Sequence, residues 1–461
     1  MIKFRFNRSN MPSPIRLRKG LDIKLKGTAE KILLPEIAVT RFGVRFADFE
    51  GLTAKPVVKE GDTVKAGTTL FYDKSFPEVK YASPVSGVVK AVVRGEKRFL
   101  LEVVIEQQGN EKEIFGPAAD PLSLTREQVK ARILESGLWP ILRQRPYHIV
   151  ARPPGAPKAI FISAFDTSPL APDIDFIMAN THGNYLQAGI NALTRLTDGK
   201  VHISFDKEGS RVAEVKNLKN VEVHNFTGPH PAGNVGIQIH HINPVSKGDV
   251  VWYIDIQDVV ALGRLFTTGV YDRERIIALA GEGVLHPKYH RIKPGASVSG
   301  ILNANLTEGK FRIISGNILT GKTIGPEGSL GFYDNTVSVI PEGDYNEFFG
   351  WALPGFDKFS YWKTFMSKLL PRKEYRLDTN VHGGQRAFVM TGHYENVLPM
   401  DIYPIQLVKA ILAEDVELME HLGIYEVAEE DLALCEYIDP SKSEIQEIIR
   451  KGINLMIKEM N

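Results

Sequence analysis

With 461 residues, 56 lysines and arginines against 55 acidic side chains, and one cysteine, the chain has room for roughly three domains and too balanced a charge to attract nucleic acid. The lone Cys435 excludes an intrachain disulfide, a zinc site of two or four thiolates and a cysteine-ligated iron–sulfur cluster, since each needs more than one thiolate. No apolar run reaches the ~18 residues of a membrane span, and the basic start, with Lys3, Arg5, Arg8, Arg16, Arg18 and Lys19, lacks the apolar core of a secretory signal, so it reads as a retained, solvated, cytoplasmic tail.

Between about residues 30 and 110, short β-branched and aromatic runs are punctuated by Gly and Asp. Residues 57–73 and 87–106 each set a turn pair, Gly61-Asp62 or Arg94-Gly95, between alternating runs, which predicts two hairpins in a small all-β barrel or sandwich. Pro84 and Gly87 supply the turn between these halves. The pattern resembles biotinyl/lipoyl-type domains, in which a lysine at a tight hairpin tip carries the prosthetic group. Lys74 is the candidate here, but Pro77 and the longer spacing to Ser83 deny it a tight turn, and it reads as a solvated loop lysine.

A helix follows, with Thr125 and Gln128 as its capping box, Val129, Ile133 and Leu134 on one face, and Gly137 as its stop. From about 155 to 260, the strand-like runs KAIFISAF, KVHISF, NVEVHNF and DVVWYIDI surround a helical pattern, NYLQAGINALTRL, the signature of an α/β domain. The short strands RIIALAGEGV, FRIIS and TVSVIP then suit a β-grasp-like module. Beyond 350 the chain turns helical. Residues 404–423 read as a helix with Pro404 in its first turn and Gly423 past its end, and residues 441–460 open on Ser441 and Glu444 as a capping box.

Three motifs suggest chemistry, and each has a plainer reading. Residues 316–323, GNILTGKT, match a phosphate loop, and Asp255 ends a strand of the kind that holds magnesium. The mechanism needs a helix starting at Lys322, however, and Pro326 with the glycines around it opposes one, so a β-turn is expected. His224, His230, His240 and His241 form a second cluster, but without zinc-site spacing or an acidic residue among them; they read as histidines hydrogen-bonded in a Gly-rich loop. In the third, residues 357–370 taken as a helix align Phe359, Trp362, Phe365 and Leu369 among Lys358, Lys363 and Lys368. That composition suits either a membrane-docking helix or an internal face packed on its own core.

The order of parts carries a resemblance: SPVSGVV and RGEKRFLLEVVIE in a barrel, an α/β domain, GPHPAG then HHINPV, a β-grasp module, and the tail EEDLALCEYIDPSKSE. Over essentially its whole length the chain resembles the A subunits of the sodium-translocating NADH:quinone oxidoreductases (Nqr complexes). The expected fold class is a multidomain α+β/α/β protein. It comprises a biotinyl/lipoyl-like β-barrel with the basic N-terminal segment (1–115), a Rossmann-like α/β domain lacking a flavin loop (116–265), a β-grasp, SLBB-like domain (266–347) and a C-terminal helical domain (348–461).

Relatives of this architecture in the Rnf complex and in complex I bind FMN through a glycine-rich loop, an acidic stretch and cluster-ligating cysteines. Here the loop reads GLWPILRQRPYHIV, with Trp139, Pro140, Arg143, Gln144, Arg145 and Pro146 where a phosphate would need glycines. The acidic stretch keeps Asp166 and Asp173. The resemblance therefore implies a polypeptide that binds no FMN, iron–sulfur cluster or metal itself and carries no catalytic residue, with NADH, FAD, FMN and iron–sulfur handled by other subunits. It implies a peripheral position on the cytoplasmic face of the bacterial inner membrane, where the partners are the other subunits of the complex, especially the membrane-embedded B subunit; the balanced charge argues against nucleic acid. It also connects the chain with ubiquinone, for which Trp139, Phe165 and His182 around the vacated flavin cleft are the candidate contacts. The alternative is a stand-alone nucleotide-binding protein using Gly316, Lys322 and Thr323.

Overall fold

A computed structural model describes residues 14–181, 185–210, 212–345, 347–350, 352–369 and 374–460, and these build four β-sheets followed by a helical carboxyl-terminal part. The first two sheets come from residues 41–107. A four-stranded sheet (Arg41–Arg45, Leu100–Gln107, Gly87–Arg94 and Thr63–Val64, in that order) faces a three-stranded one (Ala54–Pro56, Thr69–Asp73 and Lys80–Ala82). Phe42, Val44, Leu70, Phe71, Tyr81, Val89, Val103 and Ile105 fill the space between them. Alternation drives this layout, because Val103 and Ile105 point inward while Glu102 and Glu106 do not. The 87–106 hairpin forms as expected. The 57–73 hairpin does not: Ala54–Pro56 pairs with Thr69–Asp73 in one sheet, while Thr63–Val64 crosses to Gly87–Arg94 in the other.

The third sheet has seven strands in the order Ile15–Arg16, Glu222–Thr227, Lys200–Asp206, Ala159–Ser163, Val251–Asp255, Arg143–Arg145 and Ile149–Val150. The first five are parallel and the last two close it as an antiparallel hairpin. Taken along the chain, the four central strands lie in the spatial order 3-2-1-4 of doubly wound sheets. Helices Tyr185–Leu196 and Ile256–Thr268 cover one face and Val235–Ile242 the other. The two covering helices cross closely because a Cβ on Gly263 would lie 1.8 Å from the Tyr185 carbonyl oxygen, and one on Gly189 would lie 2.0 Å from that of Val259.

Ile15 and Arg16 correct the expectation of a solvated amino terminus: they form an edge strand, and Leu17, Ile23, Leu25 and Ala29 run on into a core shared with Phe226, Ile276 and Tyr394. Lys3, Arg5 and Arg8 lie outside the described residues. The fourth sheet orders Tyr289–Ile292, Arg275–Ala280, Thr336–Pro341, Phe311–Ser315 and Lys322–Ile324, with one parallel pair, Arg275–Ala280 and Thr336–Pro341.

Three carboxyl-terminal expectations need correction. Described residues 357–369 form turns with one short 3-10 stretch, Met366–Lys368, instead of a helix. The left-handed backbone at Lys363 (φ 56°) breaks helical geometry, and the aromatics dock individually, Phe359 against Tyr375 and Trp362 against His393. Residues 404–423 split into Pro404–Leu412 and Val416–His421, since Glu414 turns left-handed (φ 54°) and Asp415 caps the second helix. The last helix, Ile445–Met460, starts after Glu444. Ser441 does not cap it; the Asp439 carboxylate takes the Ser443 amide instead.

Gly263→Ala should destabilise the chain by about 1–3 kcal/mol through overpacking, read as a lower urea midpoint. Gly325→Ala, where nothing lies within 4 Å of the added Cβ, should leave the midpoint within error.

Candidate functional site

Parallel α/β sheets bind ligands outside the carboxyl ends of their strands, and a cleft of about 800 Å³ opens there. Its walls come from the segments that follow Ala159–Ser163, Lys200–Asp206 and Glu222–Thr227. Phe165, Phe176, Phe205 and Phe226 make it aromatic. Around them stand Asp166, Asp173, Asp175, Asp206 and Glu208, against Lys31 and Lys207, so the potential inside favours a neutral or cationic ligand over an anionic one.

The helix that points its amino terminus into this wall, Ile174–Ala179, is already capped: the Asp173 carboxylate accepts from the Phe176 amide at 2.8 Å and pairs with Lys31. A phosphate at that place would compete with a bound carboxylate. Burial raises the Asp166 carboxyl above its usual range, while its Oδ1 accepts from the Ser168 amide at 2.7 Å. The GPHPAG segment closes one side. His230 is buried, its Nδ1 lies 3.1 Å from Thr167 Oγ1, and its amide donates to Asp22.

Of the three sequence-derived contact candidates, Phe165 lines the cleft. Trp139 does not, which corrects its assignment there: it is fully buried, sits edge-on to Trp252 at 5.4 Å and donates Nε1–H to the Ala151 carbonyl at 2.7 Å. His182 lies outside the described residues. The arginines of the altered loop turn inward as struts. Arg145 donates to Asp431 at 2.8 Å and to Glu430 at 3.0 Å, and Arg143 lies over the rings of Tyr253 and Tyr333.

The remaining motifs resolve plainly. Residues 317–320 make the expected turn, and Lys322 begins the strand Lys322–Ile324, with its ammonium on the Ala47 carbonyl; no helix starts there to bind phosphate. Asp255 caps Ile256–Thr268 and holds Asn335 and Arg275. Lys74 sits in an open six-residue loop, exposed. The four histidines of 224–241 do not converge. His240 meets Glu426 and His241 meets the Pro399 carbonyl, from helix Val235–Ile242 and not from a loop. His224 instead finds His202, their Nε2 and Nδ1 2.9 Å apart, with Glu222 beside them.

Sequence reasoning missed Phe176, Phe205, Phe226 and Lys31. The strand-end rule was the available signal for Phe205 and Phe226, which close the apolar runs KVHISF and NVEVHNF.

Family models match three segments: residues 15–108 the NqrA N-terminal barrel-sandwich hybrid domain, 124–271 the NqrA second alpha/beta domain and 276–325 the NQRA C-terminal domain. The chain is 43% identical over 439 residues to the A subunit of the Na(+)-translocating NADH-quinone reductase of Yersinia pseudotuberculosis, covering 95% of this chain and 98% of that one. The corresponding protein of Klebsiella pneumoniae is 42% identical over 451 residues (96% and 100%), and that of Neisseria meningitidis 40% over 449 (96% and 100%).

Burial pushes His230 down to about 4. The unfolded chain takes up that proton near pH 6.5 and the folded chain does not, so the native state loses stability as pH falls from about 6.5 towards 4. The urea midpoint should drop across this window, and His230→Gln should flatten part of the slope.

Proposed function

The chain belongs to the A-subunit family of the Na(+)-translocating NADH-quinone reductases, and from that premise we propose that it serves as the peripheral, cofactor-free subunit of a sodium-pumping NADH:ubiquinone reductase. Catalysis belongs to the complex, with NADH, FAD, FMN and iron–sulfur carried by its other subunits. No helix among the described residues is long and apolar enough to cross a membrane, so attachment falls to docking, at the cytoplasmic face, on the membrane-embedded B subunit. The stretch 345–369 supports this role, because Phe348 is 85% exposed, and Phe349, Leu353, Phe356 and Leu369 are exposed with it. The rings of Phe348 and Phe349 lie with centroids 4.5 Å apart, and large apolar side chains exposed in this way are used in assembly.

The observation that carries the cofactor-free reading is the cleft at the strand ends. It keeps the place where a doubly wound domain holds its ligand, yet Asp173 occupies the helix amino terminus and carboxylates outnumber lysines around it. A flavin phosphate is disfavoured there, while four phenylalanines suit the uncharged ring of ubiquinone. Phe165 is the proposed ring contact, and His182, three residues beyond Ala179 of the wall, is the proposed donor. In this reading the domains are biotinyl/lipoyl-like (1–115), Rossmann-like (116–265), β-grasp, SLBB-like (266–347) and helical (348–461), except that Ile15–Arg16 joins the sheet of the second and the described α-helices of the last begin at Tyr394.

Purification of the complex in mild detergent through a tag on this chain should bring down the membrane subunits; recovery of the chain alone would refute docking. A photoreactive ubiquinone analogue should label peptides of the cleft, with labelling reduced at least tenfold by Phe165→Ala. Equal labelling of that variant, or labelling confined to other surfaces, would remove quinone from the cleft.

A further inference from the structure

The amino-terminal ends of two parallel strands, opposite the cleft, carry a second constellation. His202 is the third residue of Lys200–Asp206 and sits opposite Glu222, the first of Glu222–Thr227, in the parallel register. His224, two residues on from Glu222, therefore points to the same face. One carboxylate and two imidazoles are thereby aimed at a common point by backbone pairing alone.

Their geometry is that of a ligand set. His202 Nδ1 and His224 Nε2 are 2.9 Å apart, Glu222 Oε2 lies 3.5 Å from His202 Nδ1, and one donor atom from each residue falls within 4.8 Å of the others. The set is braced from outside. The His202 ring stacks on Phe161 with centroids 4.9 Å apart and an interplanar angle of 22°, and Lys200 holds the other Glu222 oxygen. Bracing of this kind orients metal ligands. His202 is 7% exposed at its side chain, whereas Glu222 is 43% exposed, so an ion can enter from the Glu222 side and keep water in its remaining positions.

We infer that His202, Glu222 and His224 form a binding site for a divalent transition-metal ion of the zinc, nickel and copper group. Two imidazoles and one carboxylate with open positions is a donor set these ions accept. At metal–nitrogen bonds of ~2.0–2.1 Å, nitrogens 2.9 Å apart subtend roughly a right angle, and a small opening of the pair reaches the tetrahedral arrangement. A bound ion would clamp two neighbouring strands of the sheet, at the end opposite the aromatic cleft.

The untagged full chain, stripped with chelator and dialysed, is titrated with zinc chloride by calorimetry, with nickel chloride as a second probe. One equivalent should bind saturably. His224→Ala and Glu222→Gln, both at half-buried surface positions, should each weaken binding at least tenfold, while His286→Ala, an exposed histidine elsewhere, should leave it unchanged. Zinc should raise the melting temperature of the unaltered chain and not that of His224→Ala. Absence of a stoichiometric site, or undiminished affinity in the two site variants, would overturn the assignment; either result is independent of quinone or partner binding.

Discussion

The architecture hangs on one buried carboxylate. Asp258, in the helix that covers the parallel sheet, accepts from Arg273 Nε at 2.7 Å and Nη2 at 2.9 Å, and from Arg275 Nη2 at 2.7 Å. All three side chains are about 1% exposed. Burial alone would raise the carboxyl of Asp258, but the two guanidinium groups hold it below its usual range. Removing a partner from such a group leaves charge in a low-dielectric interior, at a cost of about 3–5 kcal/mol. The arrangement also fixes geometry. Arg275 opens the first strand of the fourth sheet, and Arg273 stacks on Phe332 at 3.7 Å, which packs in turn on Phe49 of the sandwich at 4.7 Å. The sheets thus meet around a single oxygen pair.

A second strut explains what became of the loop at residues 137–150. Arg145 is fully buried and joins the hairpin edge of the parallel sheet to Glu430 and Asp431 near the helical carboxyl-terminal part. Space for Asp431 exists because residue 236 is glycine, where a Cβ would stand 2.5 Å from the carboxylate. Tyr333 donates its hydroxyl to the Pro140 carbonyl at 2.7 Å while Arg143 lies on its ring. The segment is committed to holding the parallel sheet to the fourth sheet and to the helical carboxyl-terminal part.

Much of this was legible from residue patterns, for identifiable reasons. The Thr125–Gln128 capping box, the four parallel strands and the turn at 317–320 depend on local chemistry, and all formed. What escaped was set by distant partners. The spacing of Phe359 and Trp362 is compatible with a helix, but each ring packs on a separate distant partner instead. Trp139 stands in a segment that points to function by resemblance, yet packing on Trp252 claimed it. The pairing of His202 with His224 requires strand register, which a linear string of residues does not display. Of the cleft, Phe165 and the two aspartates were readable, while its remaining phenylalanines depended on knowing where each strand ended.

The edge strand Ile15–Arg16 carries a consequence for the order of folding. Its parallel partner holds Phe226 and Thr227, made some two hundred residues later, so during synthesis the amino-terminal segment must wait while the intervening sandwich and most of the parallel sheet emerge. Contacts so far apart in sequence close last, because the loop entropy must be met before they form. Until those partners are made, Leu17, Ile23 and Leu25 lack the Phe226, Ile276 and Tyr394 side chains that share their core in the folded chain, and apolar side chains left uncovered in this way expose a folding intermediate to misassociation.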